Sequence, residues 1–183
     1  MAKTQLEQLI VGGGCFWCIE AVFNELKGVT KVVSGYAGGS VPGTPTYREV
    51  GSGLTGHAEV VQVTFDANSI SYRDLLHIFM SSHDPTTSNG READFGSQYR
   101  SVIYYGNAIQ KEIASVIVNE FSAYVERPIT TEISPAEKFH AAEAYHQNYY
   151  ANNSSASYCK AIIAPKLATL RSRYADKLKS IPV

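Results

Sequence analysis

No stretch of this chain comes near the roughly 20 consecutive apolar residues that a membrane helix needs. No internal repeat and no low-complexity tract is visible either, which argues against a solenoid and against a disordered chain. A basic excess is also missing: 16 Lys and Arg stand against 17 Asp and Glu, for a net charge of -1. Phosphate binding needs such an excess or a basic stripe, so a nucleic-acid partner is not expected. The densest basic stretch (Lys166, Arg171, Arg173, Lys177 and Lys179) has helical spacing, is interrupted by Asp176, and reads as a solvated helix face. Cysteine is scarce and odd in number, with 3 residues. That argues against a disulfide framework and for a reducing compartment, where cysteines are catalytic, metal-binding or simply buried. Met1-Ala2-Lys3-Thr4 leads into the short apolar run Leu9-Ile10-Val11, too short for a secretory signal. A cytoplasmic location is expected.

What is present is the composition of an ordinary globule, with 44% hydrophobic and 18% charged residues. One domain over residues 1–183 is expected, large enough to bury a core. Residues 4–11 read as a strand running into Gly12-Gly13-Gly14. Phe16, Ile19, Phe23 and Leu26 recur at helical spacing, and Gly28 ends the helix. Residues 29–36 read as a strand and residues 40–55, rich in glycine and proline, as a long loop. From Glu59 the chain alternates, with Val61, Val63 and Phe65 on one side and Val60, Gln62 and Thr64 on the other, as a strand does. Residues 71–80 form a helix with Leu75, Leu76 and Phe79 as its apolar face. A polar loop over 83–96, a strand over 99–105, a helix over 108–124 and a short strand over 130–133 follow. Strand, helix, strand, strand, helix, strand is the split β-α-β order. The expected fold is an α/β (α+β) two-layer sandwich with a ferredoxin-like βαββαβ core. From about Ala136 a long C-terminal segment, with a final helix over 167–179, is expected to wrap it.

The chemistry concentrates at Gly14-Cys15-Phe16-Trp17-Cys18. Cys15 follows a strand and three glycines and opens a helix, whose free N–H groups and partial positive charge favour a thiolate. Its pKa is expected to be lowered and its sulfur accessible. Cys18 lies on the same helix face, and a Cys-x-x-Cys pair at a helix start can close a disulfide. Such a pair also serves zinc, which usually takes four ligands; here only Cys159 is left over and no His-x-x-x-His partner is visible. Burial of all three cysteines as small hydrophobes is the plain alternative. Glu59 opens an apolar strand. It is either an exposed strand end or a buried acid with a raised pKa, able to donate a proton near neutrality. Tyr47 and Tyr99 can offer hydroxyls to a polar oxygen or cap the core. His57 and His146 fit structural roles better than that of a base.

Several distant motifs, taken together, resemble the A-type peptide methionine sulfoxide reductases over nearly the whole chain, from about Leu9 to about Arg171. Besides Gly14-Cys15-Phe16-Trp17 they include Ser34-Gly35-Tyr36-Ala37-Gly38-Gly39, Pro45-Thr46-Tyr47, Gly56-His57-Ala58-Glu59-Val60, His83-Asp84-Pro85-Thr86-Thr87, Gln98-Tyr99-Arg100-Ser101, Ala144-Tyr145-His146-Gln147 and Tyr158-Cys159. The resemblance implies an α/β sandwich that reduces the S epimer of methionine sulfoxide, free or in proteins, to repair oxidative damage. It implies Cys15 as nucleophile and Glu59 as the acid on the sulfoxide oxygen. Phe16 and Trp17 would receive the substrate methyl group, and Tyr47, Tyr99 and Asp94 would orient the oxygen or a water. Cys18 or Cys159 would resolve the Cys15 sulfenic acid as a disulfide, which thioredoxin or another dithiol then reduces. No metal and no organic cofactor is implied. Cys18 is favoured as first resolver by proximity, Cys159 being carried on a mobile tail at a greater loop-closure cost; a relay from Cys15 through Cys18 to Cys159 is the third arrangement. Two stretches depart from the family pattern: the loop Asn89-Gly90-Arg91-Glu92-Ala93 before Asp94, and Asn152 to Ser157, which lacks the usual proline or glycine. Two other classes fit the cysteines alone, a general dithiol–disulfide oxidoreductase and a zinc or protein-binding module.

Overall fold

The computed structural model describes residues 4–91 and 93–180. Glu92 and the start of the N-terminal Met1-Ala2-Lys3-Thr4 segment therefore lie outside the described residues. Strand β1 (Leu6–Gly12) leads through the glycine turn to helix α1 (Phe16–Asn24), strand β2 (Val29–Ala37), helix α2 (Tyr47–Gly51) and strand β3 (Ala58–Asp66). Helix α3 (Tyr72–Ser81) follows, then a small hairpin of β4 (Gly90–Arg91) and β5 (Asp94–Phe95), strand β6 (Val102–Tyr105), helix α4 (Ala108–Phe121) and strand β7 (Glu132–Pro135). Strand β8 (His140–Ala141), helix α5 (Tyr149–Asn152), a π-helical turn at Cys159–Ile163 and helix α6 (Ala164–Arg173) complete the order. No helix among the described residues is long and apolar enough to cross a membrane.

The main sheet has the order β7-β6-β1-β3-β2-β8. Its inner four strands, β6-β1-β3-β2, pair antiparallel throughout. That is the strand order of the expected βαββαβ core. Two short strands extend it: β7, parallel to β6, and β8, antiparallel to β2. Alternation along the strands gives the sheet two different faces. Leu9, Val11, Val61, Val63, Phe65 and Ile103 join Phe16, Phe23, Leu75 and Phe79 in the large core beneath the helices. Ile10, Val60, Val102 and Tyr104 point the other way and are covered by Phe139. Burying a Phe or Leu side chain contributes roughly 1.5–3 kcal/mol, so the helical face carries most of the hydrophobic stabilisation.

The structure corrects several boundaries. Within the expected long loop, Tyr47–Gly51 is helical because Thr46 and Glu49 form a capping box. The strand expected over 99–105 begins at Val102, and Ser97–Tyr99 is a 3-10 turn. The polar loop over 83–96 contains the β4–β5 hairpin. The C-terminal helix begins earlier, at Ala164, and stops at Arg173. Its basic residues are more than a solvated face: Arg171 grips Glu25 on the turn after α1 through two hydrogen bonds of 2.9 and 3.0 Å, and Lys177 pairs with Asp74 at 3.3 Å.

Candidate functional site

The β1–α1 turn is shaped by what surrounds it. A Cβ on Gly13 would sit 2.6 Å from the His83 ring, and Gly14 has φ +90, which only glycine adopts freely. His83 is fixed under this turn. Its Nδ1 lies 2.8 Å from the Phe79 carbonyl and its Nε2 2.7 Å from the Ser101 hydroxyl. The carbonyl cannot donate, so Nδ1 carries the proton and Nε2 accepts. Burial holds the His83 pKa down at about 4, so it stays neutral. Cys15 then occupies the N-cap of α1, without a side-chain cap bond.

Glu59 enters from below. It lies two residues before Val61 on β3, on the face that α1 covers, and only 1% of it is exposed. Its Oε2 accepts a 3.1 Å hydrogen bond from the Phe16 amide, the first of the helix. Burial, opposed by that bond and aided by the Asp94 charge, pushes its pKa up to about 8. The buried alternative for Glu59 therefore holds. Cys15 departs from expectation. It is 6% exposed, and its pKa is raised: burial acts first, then a hydrogen bond with Cys18 and the negative charges of Glu59 and Asp94. Desolvation and two nearby carboxylates outweigh the helix dipole. Cys18 is the thiol lowered, chiefly by the bond to Cys15, with Lys166 and Tyr158 helping.

The other expected residues converge on this point. Phe16 is fully buried and its ring centroid lies 6.3 Å from that of Tyr47, nearly parallel. Tyr47 opens α2 and is half-buried; desolvation and the charge of Glu59 push its pKa up to about 12. Tyr99 raises its own pKa for the same two reasons, and its carbonyl accepts from the Gly14 amide at 3.0 Å. Asp94, on the atypical loop, accepts twice from the Tyr158 hydroxyl, at 3.0 and 3.1 Å. Cys159 corrects the picture of a mobile tail: it is fully buried, in the same core cluster as Cys15 and Cys18. The preceding turn is pinned as well, with Ala156 N–H bonded to the Asn153 carbonyl at 2.9 Å.

Further residues, to which the sequence assigned no role in the site, build the walls. Trp17 stacks on Tyr149 at 3.7 Å and meets the edge of Tyr158 at 5.8 Å. Its indole N–H donates to His146 Nδ1 at 3.1 Å, which puts the His146 proton on Nε2. Burial lowers the His146 pKa, so this residue is a neutral prop. Glu143 accepts from the Tyr36 hydroxyl and from the Tyr47 amide, both at 2.8 Å. Glu20, buried in α1, accepts from the amides of Asn148 and Tyr149 at 2.8 and 3.2 Å. Of these, Tyr36, His146 and Tyr158 stand in the quoted motifs, whereas Glu20, Glu143 and Tyr149 carry no signal in the sequence. His57 lies elsewhere, with its ring 5.6 Å from that of His140. Among the described residues no three His, Cys, Asp or Glu side chains are grouped to hold a metal ion.

Comparison with known proteins matches these features. The family model described as peptide methionine sulfoxide reductase matches residues 7–178. A relative from Deinococcus radiodurans, named peptide methionine sulfoxide reductase MsrA, is 53% identical over 94% of this chain and 84% of its own. The reduced form of Mxr1 from Saccharomyces cerevisiae superposes with a TM-score of 0.78 at 31% identity, covering 85% of this chain and 90% of that one. Methionine sulfoxide reductase A of Corynebacterium diphtheriae superposes with a TM-score of 0.74 at 35% identity, over 84% and 77% of the two chains. Mxr1 in complex with Trx2 shares the fold at a TM-score of 0.55 and 22% identity.

Proposed function

The chain belongs to the peptide methionine sulfoxide reductase family, and from that premise we propose that Cys15 reduces the S epimer of methionine sulfoxide with Glu59 as its acid. The observation that carries this reading is Glu59 itself: a carboxyl with a pKa of about 8, held to the helix start by the Phe16 amide one residue from Cys15. At neutral pH it is protonated, and a sulfoxide sulfur becomes a good electrophile only when its oxygen is protonated or strongly hydrogen-bonded. Oε2 is engaged by the amide, so Oε1 faces the task of carrying the proton. Phe16 and Trp17 receive the methyl group, while Tyr47, Tyr99 and Asp94 surround the oxygen. The Cys15 sulfur attacks the sulfoxide sulfur and the S–O bond to methionine breaks. Cys15–SH plus sulfoxide gives Cys15–SOH plus methionine; Glu59 lends a proton and recovers one from the thiol. Because Cys15 rests as a thiol, that proton leaves only as the oxygen takes one up.

Cys18 attacks the sulfenic sulfur next, giving a Cys15–Cys18 disulfide and water. Cys18 follows one helical turn on, its amide donating to the Cys15 carbonyl at 3.1 Å, and this proximity supports the order. Burial of Cys159 in the same cluster supports a relay in which its thiol attacks Cys18, forming a Cys18–Cys159 disulfide and freeing the Cys15 thiol. A dithiol protein then reduces it by exchange; thioredoxin is the natural donor, as yeast Mxr1 is solved with Trx2. Oxidised proteins and free methionine sulfoxide are the substrates, residues 1–183 act as one catalytic domain, and three free thiols fit the cytoplasm. In Cys18→Ser, dithiol-driven turnover is expected to be abolished or sharply slowed. Full turnover with a Cys15–Cys159 disulfide by mass mapping would refute Cys18 as first resolver. Glu59→Gln separates the reading from a general dithiol oxidoreductase, which needs no such acid and would keep its rate.

A further inference from the structure

Two tyrosines are exposed among the described residues, Tyr124 at 82% and Tyr145 at 64%. Tyr124 meets Phe121 at the end of α4, with ring centroids 6.1 Å apart. Tyr145 lies against the site. Its ring centroid is 4.1 Å from that of the buried His146, which in turn lies 4.3 Å from Tyr47, 5.2 Å from Phe16 and 5.6 Å from Trp17. One ring, that of His146, therefore separates an exposed aromatic face from the pocket assigned to the substrate methyl group. The backbone under Tyr145 is fixed. It belongs to the 3-10 turn Ala144–His146, which the His146 amide closes on the Glu143 carbonyl at 3.0 Å. Before the turn the Glu143 carboxylate holds Tyr36 and Tyr47, and after it Gln147 holds Ser34. An aromatic ring that faces solvent from a fixed turn covers a partner's surface at little cost in conformational freedom. The mechanism above gives Tyr145 no part.

We propose that Tyr145 is a specificity residue for polypeptide substrates: its ring receives the apolar side chain two positions from the methionine sulfoxide. The proposal deepens the reading of the pocket as a methionine sulfoxide site and rests on it. Oxidation turns an apolar side chain into a polar one and disrupts the core segment that held it, whose other inward side chains are apolar. In an extended chain, residues two apart lie about 7 Å from each other and project to the same side. When the sulfoxide side chain enters among Phe16, Trp17 and Tyr47, its neighbour two along is carried over the same surface, a step that two ring contacts span. Tyr145 stands there, two ring contacts from Phe16 and open to solvent. The carboxylate beside it, Glu143, is already engaged by Tyr36 and Tyr47, which leaves the ring face as the feature on offer. Residues one position away project to the other side, and free methionine sulfoxide has no such neighbour. The contact is remote from the reacting sulfur and equal in ground and transition states, so it lowers KM and leaves kcat.

The test is steady-state reduction of S-sulfoxide peptides with dithiothreitol as reductant, so that no protein donor docks. The peptides share a glycine and serine sequence around the sulfoxide, with Phe or Lys placed one or two positions away on either side. N-acetyl-methionine S-sulfoxide serves as the free substrate. In unaltered protein, Phe two positions away on one side should lower KM about fivefold relative to the peptide of small residues, as an aromatic pair does. Tyr145→Ala should abolish that gain and leave kcat and the KM of the free substrate in place. Tyr145→Phe should keep the gain, and so should Tyr124→Ala. No gain from Phe in unaltered protein, or a gain that survives in Tyr145→Ala, overturns the role of Tyr145. An equal gain from Lys or from the adjacent positions overturns it as well. So does a loss on the free substrate as large as on the peptide, which would make Tyr145 a support for His146 instead. Absence of turnover with every S-epimer substrate in unaltered protein would overturn the sulfoxide reading and the proposal with it.

Discussion

Cys15 and Glu59 are held by regular structure, whereas Glu143, His146, Tyr149, Tyr158 and Cys159 are held by a segment with very little of it. The first pair follows from elementary patterns: a strand ends at Gly12, glycines turn the chain, a helix begins, and a neighbouring strand slides its carboxylate under that helix. The second group sits on a 3-10 turn, one short helix, a π-helical turn and the irregular chain before them. Buried acids fix it instead, Glu20 taking two amides from Asn148 and Tyr149, and Glu143 binding both Tyr36 and Tyr47. The scaffold supplies the reacting groups, and the wrap encloses them. A π-helical turn, uncommon and often found at functional sites, marks where the wrap delivers Cys159.

This division breaks most sharply at Glu59. Glu59→Gln should slow methionine formation in a single turnover by about 10²–10⁴-fold with the fold intact. The same carboxyl makes the scaffold sensitive to pH. Its folded pKa of about 8 lies above the ordinary 4.5, so the fold favours its neutral form. The contribution to stability is whole below pH 4.5 and is lost as pH rises through 8. Denaturant titrations should show unaltered protein losing several kcal/mol relative to Glu59→Gln across that window. A parallel pH dependence of the two proteins would contradict a neutral buried acid.

Glu20→Ala sharpens the comparison from the other side. It strands two amide donors of the wrap, at roughly 1–3 kcal/mol each if they stay buried. Hydrogen exchange should quicken over residues 143–160, and Trp17 emission should shift as Tyr149 leaves its face, while α3 and β6 keep their protection. Uniform loss of protection would mean that wrap and scaffold are one cooperative unit. Thr46→Ala should do least. It removes the capping box of α2, which costs about 1 kcal/mol, and raises KM modestly through Tyr47 while kcat holds.

The same contrast decides what could be read in advance. Period-2 alternation and the apolar spacing of Phe16, Ile19 and Phe23 fix the core topology, and the side of Glu59 follows from Val61 and Val63. The capping box of Thr46 and Glu49 went unread, because the glycines and prolines around it gave residues 40–55 the look of a loop. Between about Ala136 and Cys159 no periodicity exists to read, because that stretch is held by single long-range bonds such as those of Gln147 to Ser34, 113 positions away. The resting state of Cys15 is invisible to a local rule for the same reason. A helix start favours a thiolate, but burial and carboxylates from β3 and β5 arrive through the tertiary fold.

The most direct test of Cys15 as nucleophile uses a Cys18→Ser/Cys159→Ser variant, in which no second thiol remains. Mixed once with the S epimer of a methionine sulfoxide peptide, it should release one equivalent of methionine. The oxygen should then be found on Cys15 as a sulfenic acid, trapped by a dione and located by mass spectrometry. No methionine, an oxygen trapped anywhere else, or equal consumption of the R epimer would contradict the account.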